Sequence, residues 1–237
     1  MRTFRRPTLT AAALAAAAVL AAPGVASADP GTPSTPAAQL LLVQGEFPAG
    51  YRVENVSARE FGDISATVGD SLSAATVTPA QCMPVISRGA VQRAAGTPMV
   101  VALNEAKRTG ISELLTRNRI DNATAIPAGC ESVHMEFPVR SGAAEGRAVM
   151  DVRSSVVSLP GAPSGAKTVL ARSTGTVTVQ GKAHTIDQEQ IIGAQQVRGY
   201  GVLLVGSATG DGGPVTVDRT GFAQALTAAT NKVRAAK

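Results

Sequence analysis

The sequence predicts an α+β fold, an antiparallel meander sheet of about five to six strands packed against N-terminal helices and a C-terminal helix. From Glu131 onward, apolar and polar residues alternate with period two, which is typical of strands with one buried face. These strands follow one another through short turns and not through helices, which argues against a parallel nucleotide-binding sheet. The chain ends on apolar residues that have the spacing of a helix packed on a sheet.

The front of the chain combines short elements. We expect a helix over Ala37–Gly45, a strand over Tyr51–Ser57, irregular chain over Phe61–Ala75 and a strand over Met99–Lys107, while Ile111–Arg119 fits a helix or a strand. Thr78 and Pro79 predict a helix that begins there and runs to Arg93, with Pro84 inside it expected to kink the helix or delay its true start. Threonine is a good N-cap residue, and proline is well suited to the first helical position.

In the back half, each strand has one apolar and one polar face. The apolar faces are Val133, Met135, Phe137 and Val139 in one strand, and Ala148, Met150 and Val152 in the next. The polar faces carry Ser132, His134, Glu136, Arg147, Asp151 and Arg153. Two more strands follow over Lys167–Gln180 and Ala183–Val197, with turns at 180–182 and 199–201. The run Val202–Val205 is apolar throughout, as in a central strand with both faces covered.

Asp218 is the predicted N-cap of the final helix. An apolar stripe follows at helical spacing, formed by Phe222, Leu226, Ala229 and Val233. Since the chain has no long Gly/Ser-rich linker after Pro36, we expect one domain over residues 37–237.

The first 28 residues have the pattern of a signal peptide. A basic start is followed by an unbroken apolar run of 12 residues at 11–22 and a small-x-small cleavage pattern at 26–28. The run is too short to cross a hydrocarbon core of about 30 Å as a helix. We therefore expect a secreted, extracellular protein, either free or associated with the cell wall, with no transmembrane anchor after cleavage. An uncleaved anchor is the alternative, and Arg5-Arg6 leaves the general secretory and twin-arginine routes open.

Residues 29–36 are rich in Pro, Ser and Thr and predict a flexible tether. The whole chain has 22 basic and 17 acidic residues, a net charge of +5. Three arginines lie in the signal peptide, so 19 basic residues remain against 17 acidic ones, a net charge of +2. Basic residues are scattered singly and only 3% of the chain is aromatic, so we expect no nucleic-acid partner.

The chain has two cysteines, Cys82 and Cys130. Because an exported protein reaches an oxidising compartment, we expect them to form a disulfide. The bridge would close a loop of about 49 residues and, on the chain-entropy model, contribute about 4 kcal/mol. Two unpaired thiols, or metal binding with His134 and His184, are the alternatives.

A short motif, Gly69-Asp70-Ser71-Leu72, resembles the nucleophile block of GDSL-type esterases. Its chemistry needs a histidine to take the Ser71 proton and a carboxylate to orient that histidine. In that family the pair is Asp-x-x-His near the C-terminus, whereas here His184 precedes Asp187 and the last 50 residues have no histidine. Despite this difference, an exported serine hydrolase that uses Ser71 with His134 or His184 is the alternative function.

The two histidines have carboxylates nearby in sequence, at Glu136, Asp187 and Glu189. Such a cluster could bind a metal or move a proton if the strands met, but solvated sheet faces carry these residues routinely. We see no phosphate-binding loop, because Pro214 follows Gly210–Gly213 where a helix would have to begin. No cofactor is expected.

The arrangement resembles a group of actinobacterial exported proteins and lipoproteins related to the extracellular sensor domain of the mycobacterial kinase PknH. The resemblance is carried by the Ala-rich export signal, Leu40–Leu42, Phe47-Pro48-Ala49-Gly50-Tyr51, Thr78-Pro79-Ala80-Gln81-Cys82, Cys130 and the helix of Phe222. It implies an α+β domain with a groove that binds an envelope ligand. This chain has one Cys pair where that sensor domain has two, and it has no kinase domain.

Our first hypothesis is therefore a sensor-like envelope protein that binds a ligand and is not an enzyme. Its sheet and helices would form a groove for an apolar or amphipathic ligand, or for a partner protein. A purely structural or antigenic surface protein is the third hypothesis, and the presence of a cavity of about 300 Å³ or more would separate it from the first.

Overall fold

A computed structural model describes residues 31–54, 70–83, 97–120, 122–141, 144–209 and 216–237. The predicted signal peptide lies outside these ranges. Within them, no helix is both long and apolar enough to cross a membrane.

In the described residues, nine strands form one sheet in which every pair of neighbours is antiparallel. The strands are β1 (Arg52–Glu54), β2 (Thr76–Thr78), β3 (Met99–Asn104), β4 (Thr109–Thr116), β5 (Ser132–Ser141), β6 (Ala144–Val156), β7 (Lys167–Val179), β8 (Lys182–Val197) and β9 (Tyr200–Thr209). Their order is β1-β3-β4-β9-β8-β7-β6-β5-β2. The helices are α1 (Ala37–Leu40) and α2 (Arg219–Ala235), and residues 70–73 are also helical.

The prediction of five to six strands was wrong, although the coarser description of an antiparallel sheet with few helices holds. The predicted meander is β5 to β9. The sheet continues past β9 because β4 pairs with it over eight positions, among them Leu114 with Leu203. The segment that fitted either a helix or a strand is therefore a strand, and it is buried along most of its length. The two edge strands have three residues each: β1 lies within the predicted strand Tyr51–Ser57, whereas β2 was not predicted.

The helix predicted to begin at Thr78 and Pro79 does not begin there. Thr78 is the last residue of β2 and pairs with His134, and only a 3-10 turn, Ala80–Cys82, follows. Pairing with β5 buries Val77, and this long-range contact outweighs a local capping signal. The rest of the predicted helix, from residue 84 to 93, lies outside the described residues.

The predicted N-terminal helix over Ala37–Gly45 is also shorter than expected, because α1 ends at Leu40. Leu41 is extended, and the Leu42 amide donates to the buried Glu113 carboxylate at 2.8 Å instead of continuing a helix. This segment lies across the sheet, where its leucines, Phe47 and Tyr51 join the main core.

Two-residue turns join β7 to β8 and β8 to β9. They are Gln180–Gly181 and Arg198–Gly199, and all four residues have positive φ, as type I′ hairpin turns require. The first lies where the sequence predicted it. The second begins one residue before the predicted range, and Tyr200 and Gly201 already belong to β9.

The predicted final helix is confirmed as α2. Asp218 caps it by accepting the Gly221 amide at 3.0 Å. All four residues of the apolar stripe are at most 1% exposed and pack against β8 and β9. The helix lies very close to the sheet, because a Cβ at Gly206 would be 2.7 Å from the Phe222 ring. The predicted central run 202–205 lies under this helix and is buried throughout.

The end of α2 is held to the start of the described chain. Ser34 and Thr35, in the predicted tether, donate their backbone amides to the Lys237 carbonyl at 2.8 and 3.3 Å. Arg198 donates to the carbonyls of Gly31, Arg234 and Ala236. The part of the predicted tether from Ser34 therefore lies against the helix end.

The sheet has two parts with different surroundings. We call the part that packs with α2 and the N-terminal segment the covered half; it comprises β1, β3, β4, β9, residues 167–171 of β7 and residues 189–197 of β8. The open half comprises β2, β5, β6, residues 172–179 of β7 and residues 182–188 of β8. In the open half, Phe137, Ala148 and Met150 are buried together on one face. The opposite face carries the polar residues that the alternation predicted.

Candidate functional site

The polar face of the open half is built by strand register. Ser132, Arg153 and Arg172 are directly opposite one another on β5, β6 and β7. The next row on the same face is His134, Asp151, Thr174 and Asp187. Because side chains alternate along each strand, these residues share the face that α2 covers further along the sheet.

A cavity of about 540 Å³ opens between these two rows. Its lining residues are Ser132, Asp151, Arg153, Arg172 and Thr174. All five residues are exposed, so this is an open groove on the sheet surface and not an enclosed cavity. Two guanidinium groups, two hydroxyl groups and one carboxylate therefore face the same space.

Most of the charges around this groove are paired. Arg172 binds Asp187 through two parallel hydrogen bonds, Nε to Oδ1 at 3.2 Å and Nη2 to Oδ2 at 3.0 Å. The His134 Nδ1 lies 2.9 Å from Asp151 Oδ1, and its Nε2 lies 3.4 Å from Glu136 Oε1. The histidine therefore lies between two carboxylates, and both ring nitrogens have partners.

Arg153 is different. It lies directly opposite Arg172, a second cation, and is exposed. Within the described ranges, no carboxylate comes within ion-pair distance of its guanidinium. The nearest acid on its own strand face, Asp151, bonds to His134 instead. Arg153 is thus a cation of the groove with unused hydrogen-bond donors.

The sequence had placed Ser71 in a candidate hydrolase site. In the structure, Ser71 lies in the helical residues 70–73, which precede β2, and Gly69 of the motif lies outside the described residues. His184 is exposed on β8, and its side chain lies on the face opposite His134. Three strands separate β8 from β2, so His184 is about four strand spacings of ~4.8 Å from the strand that follows Ser71.

The other predicted constellations are also separated. Glu189 is buried in the covered half and accepts from Val217 and Arg219, both at 3.4 Å. Within the ranges that the structure describes, no group of three or more His, Cys, Asp or Glu residues forms a possible metal site. Cys82 and Cys130 lie at disulfide distance, with 2.07 Å between the sulfur atoms.

One buried acid was not singled out by sequence analysis. Glu113 on β4 is fully buried, and burial raises its pKa to about 7, although the Leu42 amide opposes this shift. Its Oε1 has no hydrogen-bond partner among the described residues. A hydrophilic residue in the middle of the ambiguous segment 111–119 was the available signal. Its position beneath Leu42, inside the main core, indicates a role in docking the N-terminal segment.

The alternation in sequence had already placed Arg153 and Asp151 on one polar face. It could not place Arg153 against Arg172, because the β6–β7 connection is a loop of ten residues and not a tight turn that fixes register. The groove is therefore a product of strand pairing.

Comparisons with known proteins add little to this geometry. No family model matches the chain, and no curated protein sequence matches it. One similar solved structure is an uncharacterised protein, the Rv0999 ortholog, from Mycobacterium smegmatis. It is 16% identical, the match covers 86% of this chain and 99% of that one, and the TM-score is 0.44. These findings do not confirm the resemblance to the kinase sensor domain.

Proposed function

We propose that this chain is an exported, sensor-like protein of the cell envelope that binds a ligand or partner without chemical turnover. The observation that carries the proposal is the groove of about 540 Å³ on the polar face of the open half. Its lining is polar and converges from three strands, whereas the stabilising apolar contacts of α2 lie elsewhere on the sheet. A few convergent polar groups of this kind can fix the orientation of a bound ligand.

Export is supported by independent features. The first 28 residues have the composition of a signal peptide, and the two cysteines lie at disulfide distance. The bridge joins the turn after β2 to the loop before β5, so it holds the edge of the open half together. A disulfide in this position is useful to a protein that works in an oxidising compartment.

The hydrolase alternative finds less support. A serine nucleophile needs a histidine within hydrogen-bond reach. Both nitrogens of His134 are bonded to carboxylates, and His184 lies on the other face of the sheet. An esterase assay on the wild type and Ser71→Ala tests this alternative: turnover by the wild type that Ser71→Ala abolishes would support the hydrolase and contradict binding without turnover.

Native mass spectrometry of the protein purified from its own envelope tests the proposal. We expect a species heavier than the chain, which loses the added mass after unfolding and refolding. Thr174→Trp would fill the groove and should abolish the adduct. Thr176→Trp is the matched control, because Thr176 is equally exposed on the same face of β7 but lies beyond the groove lining. A wild type that carries no adduct and captures no partner would overturn the proposal.

A further inference from the structure

We infer that the groove recognises an oxyanion, a carboxylate or phosphate group of its ligand, and that Arg153 is the principal contact. This inference rests on the proposed binding function and names the chemistry of the ligand. It starts from the pairing of Arg153 with Arg172 across β6 and β7, on the face that lines the cavity.

Two like charges directly opposite each other on neighbouring strands destabilise a sheet. Arg172 is compensated by its two hydrogen bonds to Asp187. No acid among the described residues compensates Arg153 in the same way. An anion bound between the two guanidinium groups would remove the repulsion, because charge-assisted hydrogen bonds from arginine to carboxylate or phosphate are short and strong.

The neighbouring groups fit an anion. Ser132, opposite Arg153, and Thr174, one row along, bring hydroxyl donors to the same cavity. The acids that could compete already have partners: Asp151 bonds to His134, Asp187 bonds to Arg172, and Glu189 bonds to Arg219 in the covered half. Asp151 still lines the cavity, so the ligand should place its anionic group at the Arg153 side and a neutral, hydrogen-bonding part near Asp151.

The cavity is much larger than one oxyanion, so the anionic group is expected to be one part of a larger ligand. An exposed arginine gives a small free anion only millimolar affinity, because solvent and salt screen the interaction. Isolated anions are nevertheless useful probes, since they report on the arginines alone.

The test is a titration of the full chain, without its signal peptide, with inorganic phosphate and separately with acetate. Ionic strength is kept constant with chloride, and backbone amide shifts of β5–β7 are followed by NMR. For the wild type, we expect saturable shifts centred on residues 132, 153 and 174. In Arg153→Gln, the affinity for the anion should be weaker by about tenfold or more. The anion affinity of Arg153→Lys, which keeps the charge but loses the planar guanidinium group, should lie between those of the wild type and Arg153→Gln. If Arg153→Gln does not fold, the comparison of Arg153→Lys with the wild type tests the inference.

Arg147→Gln is the matched control. Arg147 is another exposed arginine on the same face of β6, but it pairs with Glu136 and lies outside the groove lining. Its anion affinity should stay within about twofold of wild type, while equal losses in both variants would indicate general electrostatic attraction and overturn the inference. Lack of a saturable shift with either anion would also overturn it. A preference for phosphate over acetate, or the reverse, identifies which oxyanion the ligand carries.

The native adduct separates this inference from the proposed function. An adduct that is retained by Arg153→Gln and lost by Thr174→Trp would leave the binding function in place and refute the oxyanion contact. If Arg153→Gln and Thr174→Trp both lose the adduct while Arg147→Gln keeps it, the binding function and the oxyanion contact are both supported.

Discussion

The covered and open halves of this sheet use the same strand alternation in opposite ways. In the covered half, the face toward α2 is mostly apolar, although it includes the buried acids Glu113 and Glu189. The helix packs so closely there that Gly206 has no room for a Cβ beneath Phe222. In the open half, the same face of the sheet carries Arg153, Arg172 and their paired neighbours around a groove. Apolar packing and exposed charge are thus divided along one continuous surface.

The difference has a physical basis. Burial of large apolar side chains contributes several kcal/mol per residue, whereas exposed ion pairs contribute about 0–1 kcal/mol. Side chains of the open polar face can therefore be selected for a ligand at little cost to folding. Large apolar side chains of the covered face, in contrast, cannot be truncated without a loss of packing against the helix.

The largest effect should come from the helix contact. Phe222→Ala should lower the free energy of unfolding by about 3–5 kcal/mol, because the ring is 1% exposed and its removal leaves a cavity against β9. Thr176→Ala in the open half should change it by less than about 0.5 kcal/mol. Chemical denaturation measures both, and comparable losses in the two variants would contradict the division between the halves.

The disulfide should be the main stabiliser of the open half. Replacing both cysteines, Cys82→Ser with Cys130→Ser, should cost about 3–4 kcal/mol, because the bridge closes a loop with a sequence separation of 48 residues. Since it holds β2 beside β5, hydrogen exchange should rise first at residues 76–78 and 134–136. Amides of β9 serve as the internal control. Faster exchange in β9 than in β2 would show that the bridge acts on the covered half instead.

Glu113 should make the covered half sensitive to pH. Its pKa is about 7 in the folded protein and near 4.5 when exposed, so the folded state holds the proton more tightly. The contribution of this group is therefore most favourable below pH 4.5, and it declines as the pH rises from about 4.5 to 7, by up to about 3 kcal/mol. Glu113→Gln should flatten that part of the stability profile and be the more stable protein at pH 8. An exposed acid, Glu145, provides the control: Glu145→Gln should keep the pH-dependent decline that Glu113 causes.

Much of the fold followed from local patterns. Period-two alternation identified the meander and both of its faces, and the Asp218 cap with its apolar stripe identified α2. The predicted number of strands was wrong because the contacts that pair the additional strands are distant in sequence. Pairing of β4 with β9 joins residues about 90 positions apart, and β2 forms only because β5 offers an edge. Capping signals at Thr78 were locally sound and were outweighed by that pairing.

The candidate site was also predictable only as far as local sequence patterns reach. The sequence placed the right residues of β6 on a polar face, but the neighbours of Arg153 depend on register across a ten-residue loop. The Gly-Asp-Ser-Leu motif is visible in the sequence because its residues are contiguous, whereas a cross-strand cluster is not. The residues behind the family resemblance, such as Phe47 and Tyr51, are buried core residues, so they report on packing and carry no information about a ligand.

The smallest expected effect on the free energy of unfolding gives the sharpest test of the difference between the covered and open halves. Arg153→Gln should change the free energy of unfolding by less than about 0.5 kcal/mol, in the stabilising direction, because it removes a cation opposite Arg172. The gain should grow at low ionic strength, where repulsion is less screened. Arg172→Gln is the counterpart and should be destabilising by up to about 1 kcal/mol, because it breaks the two hydrogen bonds to the largely buried Asp187.

Chemical denaturation at two salt concentrations separates the two variants. If Arg153→Gln were clearly destabilising, Arg153 would have a structural role in the open half, and its unpaired guanidinium would no longer indicate selection for a ligand. A variant that is neutral or slightly more stable and that also binds anions less tightly would show that this position is kept at a small cost to the fold. The residue would then serve recognition in a half of the sheet whose stability depends on other contacts.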